Sequence, residues 1–531
     1  MNAESGKQAL VVFEDEHLLV VNKPAGLNTH APSPWAGEGI YEWLKNREPR
    51  WAKLAIIHRL DKDTSGLMVF GKSSIANKSL TSQFATRRVR KAYVLVTDKA
   101  VSFQQFTARS KLVRVNERYA SNREKGDLAE TMFRKLPPRD NNPRLTWIEA
   151  QPLTGRTHQI RVHATENGFP ILGDPIYGGS PAPRLCLHAA DLSFEHPATR
   201  KIVSFNAEPN FFDNTRLTLR HQLIDPQSTN AYRVVHGASD GDAGLFVDRF
   251  GDWLLAQTES PLTTKQQSLL SNLMKNLPCR GVYHKLLRKE VQKAGAAEAS
   301  PQPICGEAAP ARWTIRENGL QYTIRFSEGY SVGIFLDQRD NRRRLLDGYI
   351  SPEFQLPGRG EILNSFAYTC AFSVAAAKAG SRVTSLDLSR GYLDWGKENF
   401  QLNDLDPAQH DFIYGDAFDW FRRLAKQNRL FDAVLLDPPT FSRSKEGTFQ
   451  AEKDYGKLVS AALPLIKRNG VLFASTNAAK LKPEDYLRSI TQAVMQSNRK
   501  ILQQQYVPQP PDFPITRDQP AYLKTVWMRL N

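Results

Sequence analysis

The last third of the chain limits the fold more than any other part. Residues 361–366, 383–387, 412–416, 433–437 and 471–475 are short apolar runs that read as buried strands, and 371–379 between the first two reads as a helix. Strands alternating with helices predict a parallel, doubly wound α/β sheet. Three of these strands end in an acid, Asp387, Asp416 and Asp437. Ligands of such sheets bind beyond the carboxyl ends of the strands. An acid about 20 residues after the first strand–turn–helix is placed to reach ribose hydroxyls, which fits Asp387. Asp416, one strand later, is placed to reach an adenine amino group. No Gly-x-Gly-x-x-Gly follows the first strand and no Gly-Lys-Ser/Thr loop occurs, which disfavours dinucleotide binding and nucleoside triphosphatase chemistry. After Asp437 come Pro438 and Pro439, which stiffen the turn and leave carbonyls open to a ligand.

A chain of 531 residues is too long for one core. Lys and Arg number 71 against 55 Asp and Glu, a net charge of +16. That surplus suits a polyanion, because cationic side chains displace counterions condensed on phosphates. The four cysteines, Cys186, Cys279, Cys305 and Cys370, are far apart and form no Cys-x-x-Cys pair. This spacing predicts a reducing, cytoplasmic setting and no structural zinc. No apolar run reaches about 18 residues, so no membrane partner is expected. No secretory signal is read at the N-terminus.

Residues 1–211 are strand-rich, with strands expected at 10–13, 18–22 and 92–97. Two motifs stand out: His58-Arg-Leu-Asp-Lys-Asp-Thr-Ser-Gly66, and the basic run Leu153-Thr-Gly-Arg-Thr-His-Gln-Ile-Arg-Val-His163. Together they resemble the RluA family of RNA pseudouridine synthases. Val20-Val-Asn-Lys-Pro-Ala-Gly26, Gly173-Asp-Pro-Ile-Tyr-Gly178 and Leu187-His-Ala-Ala-Asp191 match further segments of that family. The resemblance implies an α+β mixed-sheet domain with Asp61 as the catalytic carboxylate. It implies Arg161 as the cation paired with Asp61, and Tyr93 as the aromatic that stacks on the base and exchanges a proton. Arg59 would fill the space left by a flipped uridine, and Arg156 and His158 would face RNA. Uridine isomerisation breaks an N-glycosidic bond and rejoins the base through carbon, which needs no cofactor and no metal. Enzymes that act on a base within structured RNA first turn it out of the stack. His163 is read as structural or RNA-facing.

Residues 212–325 carry no catalytic constellation. The polar stretch 225–230 reads as a boundary and 232–251 as strands around a Gly/Asp turn; 294–311 reads as a loop and 313–326 as further strand. The expectation is a small α+β module that positions RNA or packs on its neighbour. It resembles the central module of RlmI-type ribosomal RNA methyltransferases.

Residues 326–531 hold Asp437-Pro-Pro-Thr-Phe441, which resembles the Asp-Pro-Pro motif of enzymes using S-adenosyl-L-methionine (AdoMet). Gly333-Ile-Phe-Leu-Asp-Gln-Arg339 and Asn364-Ser-Phe-Ala-Tyr368 are similar to segments of the RlmI and RlmK types. Asp437 through Lys445 is closest to the RlmK guanine-N7 type. The resemblance implies a class I methyltransferase with AdoMet held by Asn364, Phe366, Tyr368, Asp387, Asp416, Asp437 and Pro438, and with Asp437 also catalytic. Two departures matter. Cys370 stands where the family has Gly, which would crowd the cofactor loop. Ser475-Thr-Asn477 stands where RlmI-type cytosine-C5 enzymes carry Ser-Cys-Ser. Cytosine C5 needs a thiolate adduct before it can accept a methyl group, whereas a ring nitrogen is already nucleophilic. The reading is therefore a nitrogen acceptor, guanine N7 first, with cytosine C5 as the alternative.

The sequence thus predicts a fused bifunctional RNA-modifying enzyme acting on large-subunit ribosomal RNA, with transfer RNA as the runner-up substrate. The rivals are an RNA-binding assembly factor with one inactive domain and an NAD-type oxidoreductase.

Overall fold

A computed structural model of the chain describes residues 10–139, 142–287, 300–328, 331–444 and 447–531. The chain forms two compact units. One runs through Ile224 and the other from Asp225 to Asn531, with the short segments Ser33–Gly37 and Asn46–Pro49 belonging to the second.

The first unit is built on an 11-stranded sheet. Its middle strands are β1 (Leu18–Lys23), β2 (Ser65–Gly71), β3 (Arg90–Thr97), β4 (Thr146–Pro152) and β5 (Leu187–Glu195), in the order β1-β2-β5-β3-β4. β1 and β2 are buried along their whole length and read as continuous apolar runs, as strands covered on both faces do. All these pairings are antiparallel except β2 with β5, which is parallel and short, joining only Ser65 and Gly66 to His188 and Ala189. Gly66 sits at that crossing with φ +117°, and a Cβ there would lie 2.5 Å from the backbone nitrogen of Ala189. Only glycine lets the two strands approach so closely. Helix α1 (Gln159–Glu166) follows β4. The helix Thr215–Leu223 packs Leu219 and Leu223 into the core made by Ile40, Trp43 and Leu44.

The second unit opens with a five-stranded sheet whose strands lie in chain order, from Ala231–His236 to Gln302–Gly306. The strand Gln302–Gly306 corrects the expected loop over 294–311, of which 294–299 lie outside the described residues. It is an edge strand on Gly281–Leu286, with a register shift. Such strands accept proline because one side needs no ladder hydrogen bond. Phe250, Trp253 and Tyr283 of this sheet share one core with Ile315, Tyr322 and Phe326, and through them with the sheet that follows.

That sheet has seven strands: β6 (Glu361–Ser365), β7 (Arg382–Asp387), β8 (Asp411–Tyr414), β9 (Phe431–Leu436), β10 (Ile466–Thr476), β11 (Ile501–Val507) and β12 (Lys524–Leu530). Their order is β8-β7-β6-β9-β10-β12-β11. The first five are parallel, as alternation predicts. β12 runs antiparallel to β10 and β11, a reversal that the alternation of strands and helices does not announce. Helices α2 (Arg339–Asp347), α3 (Ala371–Lys378), α4 (Arg390–Leu402) and α5 (Ala417–Lys426) are used below. The order reverses between β6 and β9, and a crevice at such a switch point is where open α/β sheets bind ligands. No helix among the described residues is long and apolar enough to cross a membrane.

Candidate active sites

In the first unit, a cleft of about 1490 Å³ is lined by Arg59, Asp61, Tyr93, Arg156, His158 and Arg161, among others. The structure therefore brings together every residue that the sequence assigned to this chemistry. Asp61 lies on the loop before β2. That loop is held by the buried Lys23, whose Nζ donates to the carbonyls of Pro24, Leu27 and Lys62 at 2.9, 2.7 and 3.0 Å. Burial pushes the Lys23 ammonium down to about 7, while Asp63 and Asp61 pull it back up. Thr29 also grips the loop, its hydroxyl donating to the Leu60 carbonyl at 2.8 Å and accepting from the Leu60 amide at 3.1 Å.

Arg161 projects from α1, with Nη1 3.9 Å from Asp61 Oδ2. Its shorter bonds go elsewhere: Nε and Nη2 donate to the two oxygens of Asp174 at 2.7 and 2.8 Å. The expected Asp61–Arg161 pair is therefore one edge of a triad in which the buried Asp174 fixes the guanidinium. A bidentate carboxylate sets both orientation and charge. The guanidinium lies 5.0 Å above the Tyr177 ring, whose hydroxyl shares a 2.9 Å hydrogen bond with His158 Nδ1. His158 Nε2 is 3.9 Å from Asp61 Oδ2, and burial outweighs the pull of Asp61 to lower the imidazole's pKa. Burial, and then the charge of Asp61, hold the Tyr93 phenol above its usual range, so it stays protonated beside the carboxylate. Arg59 is exposed at the rim. Arg156 Nη1 lies 3.4 Å from Asp127 and its Nε donates to the Leu128 carbonyl at 3.4 Å, while the residue remains exposed. His163 is structural, with Nδ1 2.9 Å from the Thr131 hydroxyl and Nε2 3.0 Å from that of Ser110. Sequence reasoning missed the roles of Asp174 and Tyr177, although both lie in the matched segment Gly173–Gly178.

In the second unit, the turn after β6 has an unusual backbone. Phe366, Tyr368 and Cys370 all have positive φ, at 61°, 49° and 61°. Three alternate left-handed residues form the path that a Gly-x-Gly-x-Gly loop takes, here without glycine. Such conformations cost non-glycine residues about 1–3 kcal/mol each and cluster at ligand clamps. The loop is held by Asp387, at the end of β7, whose Oδ2 accepts from the Tyr368 amide and Oδ1 from the Ser389 amide, both at 2.8 Å. Burial raises the Asp387 carboxyl despite these donors. Asn364 corrects an expectation. Its side chain is buried and donates to Ser373 Oγ at 2.8 Å, so it braces the loop against α3 rather than facing a ligand. The crowding expected from Cys370 is also corrected. The residue is fully buried at the start of α3, its thiol donates to the Tyr368 carbonyl at 3.8 Å, and its side chain fills the space that a Cβ at Gly396 of α4 would occupy.

A cavity of about 440 Å³ lies at the ends of β6, β7 and β8, lined by Phe366, Leu388, Asp416, Ala417 and Phe418. Asp416 caps α5, its Oδ1 accepting from the amides of Phe418 and Asp419 at 2.9 and 3.2 Å. An apolar slot beside a helix N-terminus and a strand-end acid fits the adenine of AdoMet, and Asp387 fits its ribose. Asp437, half-buried after β9, accepts from Gln338 Nε2 at 3.2 Å. The same nitrogen donates to Ser475 Oγ at 2.7 Å. Burial lifts the Asp437 carboxyl to about 6, against the hydrogen bonds of Ser475 and Gln338, and the charge of Asp337 adds to the rise. Pro438 is buried beneath this turn. Lys445, at the end of the matched motif, lies outside the described residues. Among the described residues, no group of three or more His, Cys, Asp or Glu is placed to hold a metal ion.

Comparison with known proteins agrees with this division. Residues 17–166 match the family model "RNA pseudouridylate synthase", and residues 283–529 match "S-adenosylmethionine-dependent methyltransferase". "Putative ribosomal RNA large subunit methyltransferase YwbD" of Bacillus subtilis (strain 168) is 34% identical over 315 residues, 58% of this chain and 77% of that protein. Ribosomal RNA large subunit methyltransferase I of Klebsiella pneumoniae (strain 342) is 30% identical over 314 residues, 58% of this chain and 76% of that protein. Among solved structures, "SMU.776, a putative methyltransferase complexed with SAH" superposes with a TM-score of 0.52 at 26% identity, covering 68% of this chain and 89% of that one.

Proposed function

Because the chain belongs to the ribosomal RNA large subunit methyltransferase I family and carries an RNA pseudouridylate synthase domain ahead of it, we propose that it isomerises uridine at Asp61 and methylates guanine N7 beside Asp437, both in large-subunit ribosomal RNA. The synthase reading rests on the Asp61–Arg161–Asp174 triad. Arg161 sets its guanidinium 3.9 Å from Asp61, and the carboxylate there can act on the ribose or the base as the N-glycosidic bond breaks. The freed base turns, a C5–C1′ bond to the ribose replaces the N1–C1′ bond, and the proton lost from C5 is balanced by one gained at N1. The protonated Tyr93 lies along the same cleft as stacking surface and proton carrier. Arg59, Arg156 and His158 form the RNA-facing rim.

When bound, AdoMet supplies an electrophilic methyl group. Asp387, Asp416, Phe366 and Tyr368 form the wall that would hold it, and Asp437 with Pro438 forms the edge facing the acceptor. The guanine reading is carried by one observation: among the described residues, no thiol faces that edge. Cys370 is turned into α4, and Ser475-Thr-Asn477 supplies no sulfur. Without a thiolate adduct cytosine C5 is not nucleophilic, whereas guanine N7 needs only proximity and alignment.

The test is to incubate the purified protein with unmodified large-subunit ribosomal RNA and AdoMet, then to separate the nucleosides by chromatography and weigh them. Pseudouridine and 7-methylguanosine are expected, with Asp61→Ala losing only the first and Asp437→Ala only the second. 5-Methylcytidine in place of 7-methylguanosine would overturn the acceptor assignment.

A further inference from the structure

We propose that His158 is a positioning residue of the synthase site: with its proton fixed on Nε2, it donates to Asp61 Oδ2 once uridine is bound and leaves Oδ1 as the oxygen that reacts. This inference rests on the synthase reading above and gives the two oxygens of the Asp61 carboxylate different tasks.

His158 stands at the start of α1 in the left-handed conformation, with φ 57°. A residue with a Cβ adopts that conformation at a cost, and such positions collect at active sites. The imidazole is wedged edge-on between Tyr119, on the strand Arg118–Asn122, and Tyr177, with ring centroids 5.6 Å away on each side. Its side chain is only 16% exposed, against 43% for Arg156 on the rim, and its Nε2 lies 3.9 Å from Asp61 Oδ2. The Tyr177 hydroxyl decides which nitrogen carries the proton. Its oxygen accepts from the Tyr119 amide at 2.9 Å and lies 2.9 Å from His158 Nδ1. With the amide as donor, the hydroxyl's own proton goes to Nδ1. In a neutral imidazole one nitrogen accepts and the other donates, so Nε2 carries the hydrogen that points to Asp61. Burial outweighs the pull of Asp61 on this ring, so it donates without adding a second full charge.

Arg161 Nη1 stands 3.9 Å from the same oxygen, Oδ2. Asp174 governs both donors. Its two oxygens take the Arg161 guanidinium, and Oδ1 also accepts from the Tyr177 amide at 3.2 Å. Thr165 of α1 ties down the Tyr177 carbonyl at 3.0 Å. One buried carboxylate thus sets the cation on one side of Asp61 and, through Tyr177, the imidazole on the other. Among the described residues, no hydrogen bond or ion pair ends on Asp61 Oδ1, which leaves it for the ribose or the base. The two gaps of 3.9 Å are too long for hydrogen bonds. Catalytic contacts of this kind are often long without substrate and tighten when it fills the site. Two donors closing on one oxygen then fix the plane of the carboxylate.

The experiment uses the full chain and large-subunit ribosomal RNA carrying tritium at uridine C5, which passes to water as C5 loses its proton. Single-turnover rates are measured with protein in saturating excess, and RNA affinity by filter binding. His158→Leu should slow the reaction by about 10- to 100-fold, the loss expected for a hydrogen bond to a charged group, with RNA affinity within about 2-fold of wild type. His158→Gln, whose amide can donate from the place of Nε2, should recover to within about 5-fold of wild type. Tyr177→Phe keeps a ring beneath Arg161 but releases the imidazole proton to either nitrogen, and should cost about 3- to 10-fold. A wild-type rate in His158→Leu overturns the inference and leaves the synthase reading standing. A Gln variant no faster than the Leu variant also overturns it. So does weaker RNA binding at an unchanged saturated rate, which assigns His158 to RNA contact. Should His158→Leu fail to fold, as thermal melting would show, a wild-type rate in Tyr177→Phe overturns the proton placement on which the inference stands. Wild-type protein that releases no tritium removes the reading beneath it.

Discussion

Replacing Asp437 by Asn should stabilise the methyltransferase unit while abolishing methyl transfer. Burial lifts this carboxyl from 3.8 to about 6, a rise that the hydrogen bonds of Ser475 and Gln338 and the charge of Arg342 offset only in part. A difference of about 2 in pKa is worth about 3 kcal/mol. The raised carboxyl holds a proton in the folded state between pH 3.8 and 6 where the unfolded chain has lost it. Stability therefore falls as pH rises through that window, and the cost is complete above pH 6. Wild type carries the full cost at pH 8 and under about 1 kcal/mol of it at pH 4. Asn carries it at neither pH, and its amide oxygen can still accept from Gln338. The expected gain at pH 8 is about 2–3 kcal/mol, or roughly 4–10 °C in the melting temperature of this unit. Scanning calorimetry at pH 8 and pH 4, without AdoMet, measures it. A variant less stable than wild type at pH 8, or a gain of equal size at both pH values, would refute the argument.

Three further outcomes follow from the geometry. Gly396→Ala should lower the melting temperature by an amount equivalent to about 1–3 kcal/mol, because the new methyl group meets Cys370 Cβ at 2.8 Å; in a Cys370→Gly background the same change should raise it, a reversal that thermal melts of all four proteins would register. Asp174→Asn should slow pseudouridine formation by roughly 10- to 100-fold while leaving RNA affinity near wild type, measured by nucleoside analysis and filter binding, because it loosens Arg161 and not the RNA-facing rim. Arg59→Ala and Arg156→Ala should each reduce the salt dependence of RNA binding by up to about one phosphate contact, a slope change of roughly 0.7–0.9 in titrations between 50 and 200 mM salt.

The parts legible in the sequence were those written in local patterns. Strands β6, β7 and β9 announce themselves as apolar runs, and Asp387 and Asp437 mark the ends of β7 and β9. Asp61, Tyr93 and Arg161 were found through motifs and do share one cleft. What stayed hidden depends on partners distant in the chain. Asp174 meets Arg161 across a helix and a turn, and nothing in Gly173–Gly178 says which cation it will hold. The reversed direction of β12 is invisible because Lys524–Leu530 carries the same apolar pattern in either sense. Asn364 was assigned to the cofactor through the resemblance of the segment Asn364–Tyr368, yet its amide turns inward to Ser373. The strand Gln302–Gly306 was masked by Pro303, which an edge position tolerates.

The fit of Cys370 against Gly396 also couples the two positions. A side chain at 396 and a thiol at 370 compete for one space, so each is costly in the presence of the other. From the present state, a side chain at 396 is penalised until 370 has given up its own. The two sites behave as a ratchet: descendants that keep Cys370 should keep Gly396, and a natural sequence that pairs Cys at 370 with a larger residue at 396 should carry a rebuilt cofactor loop.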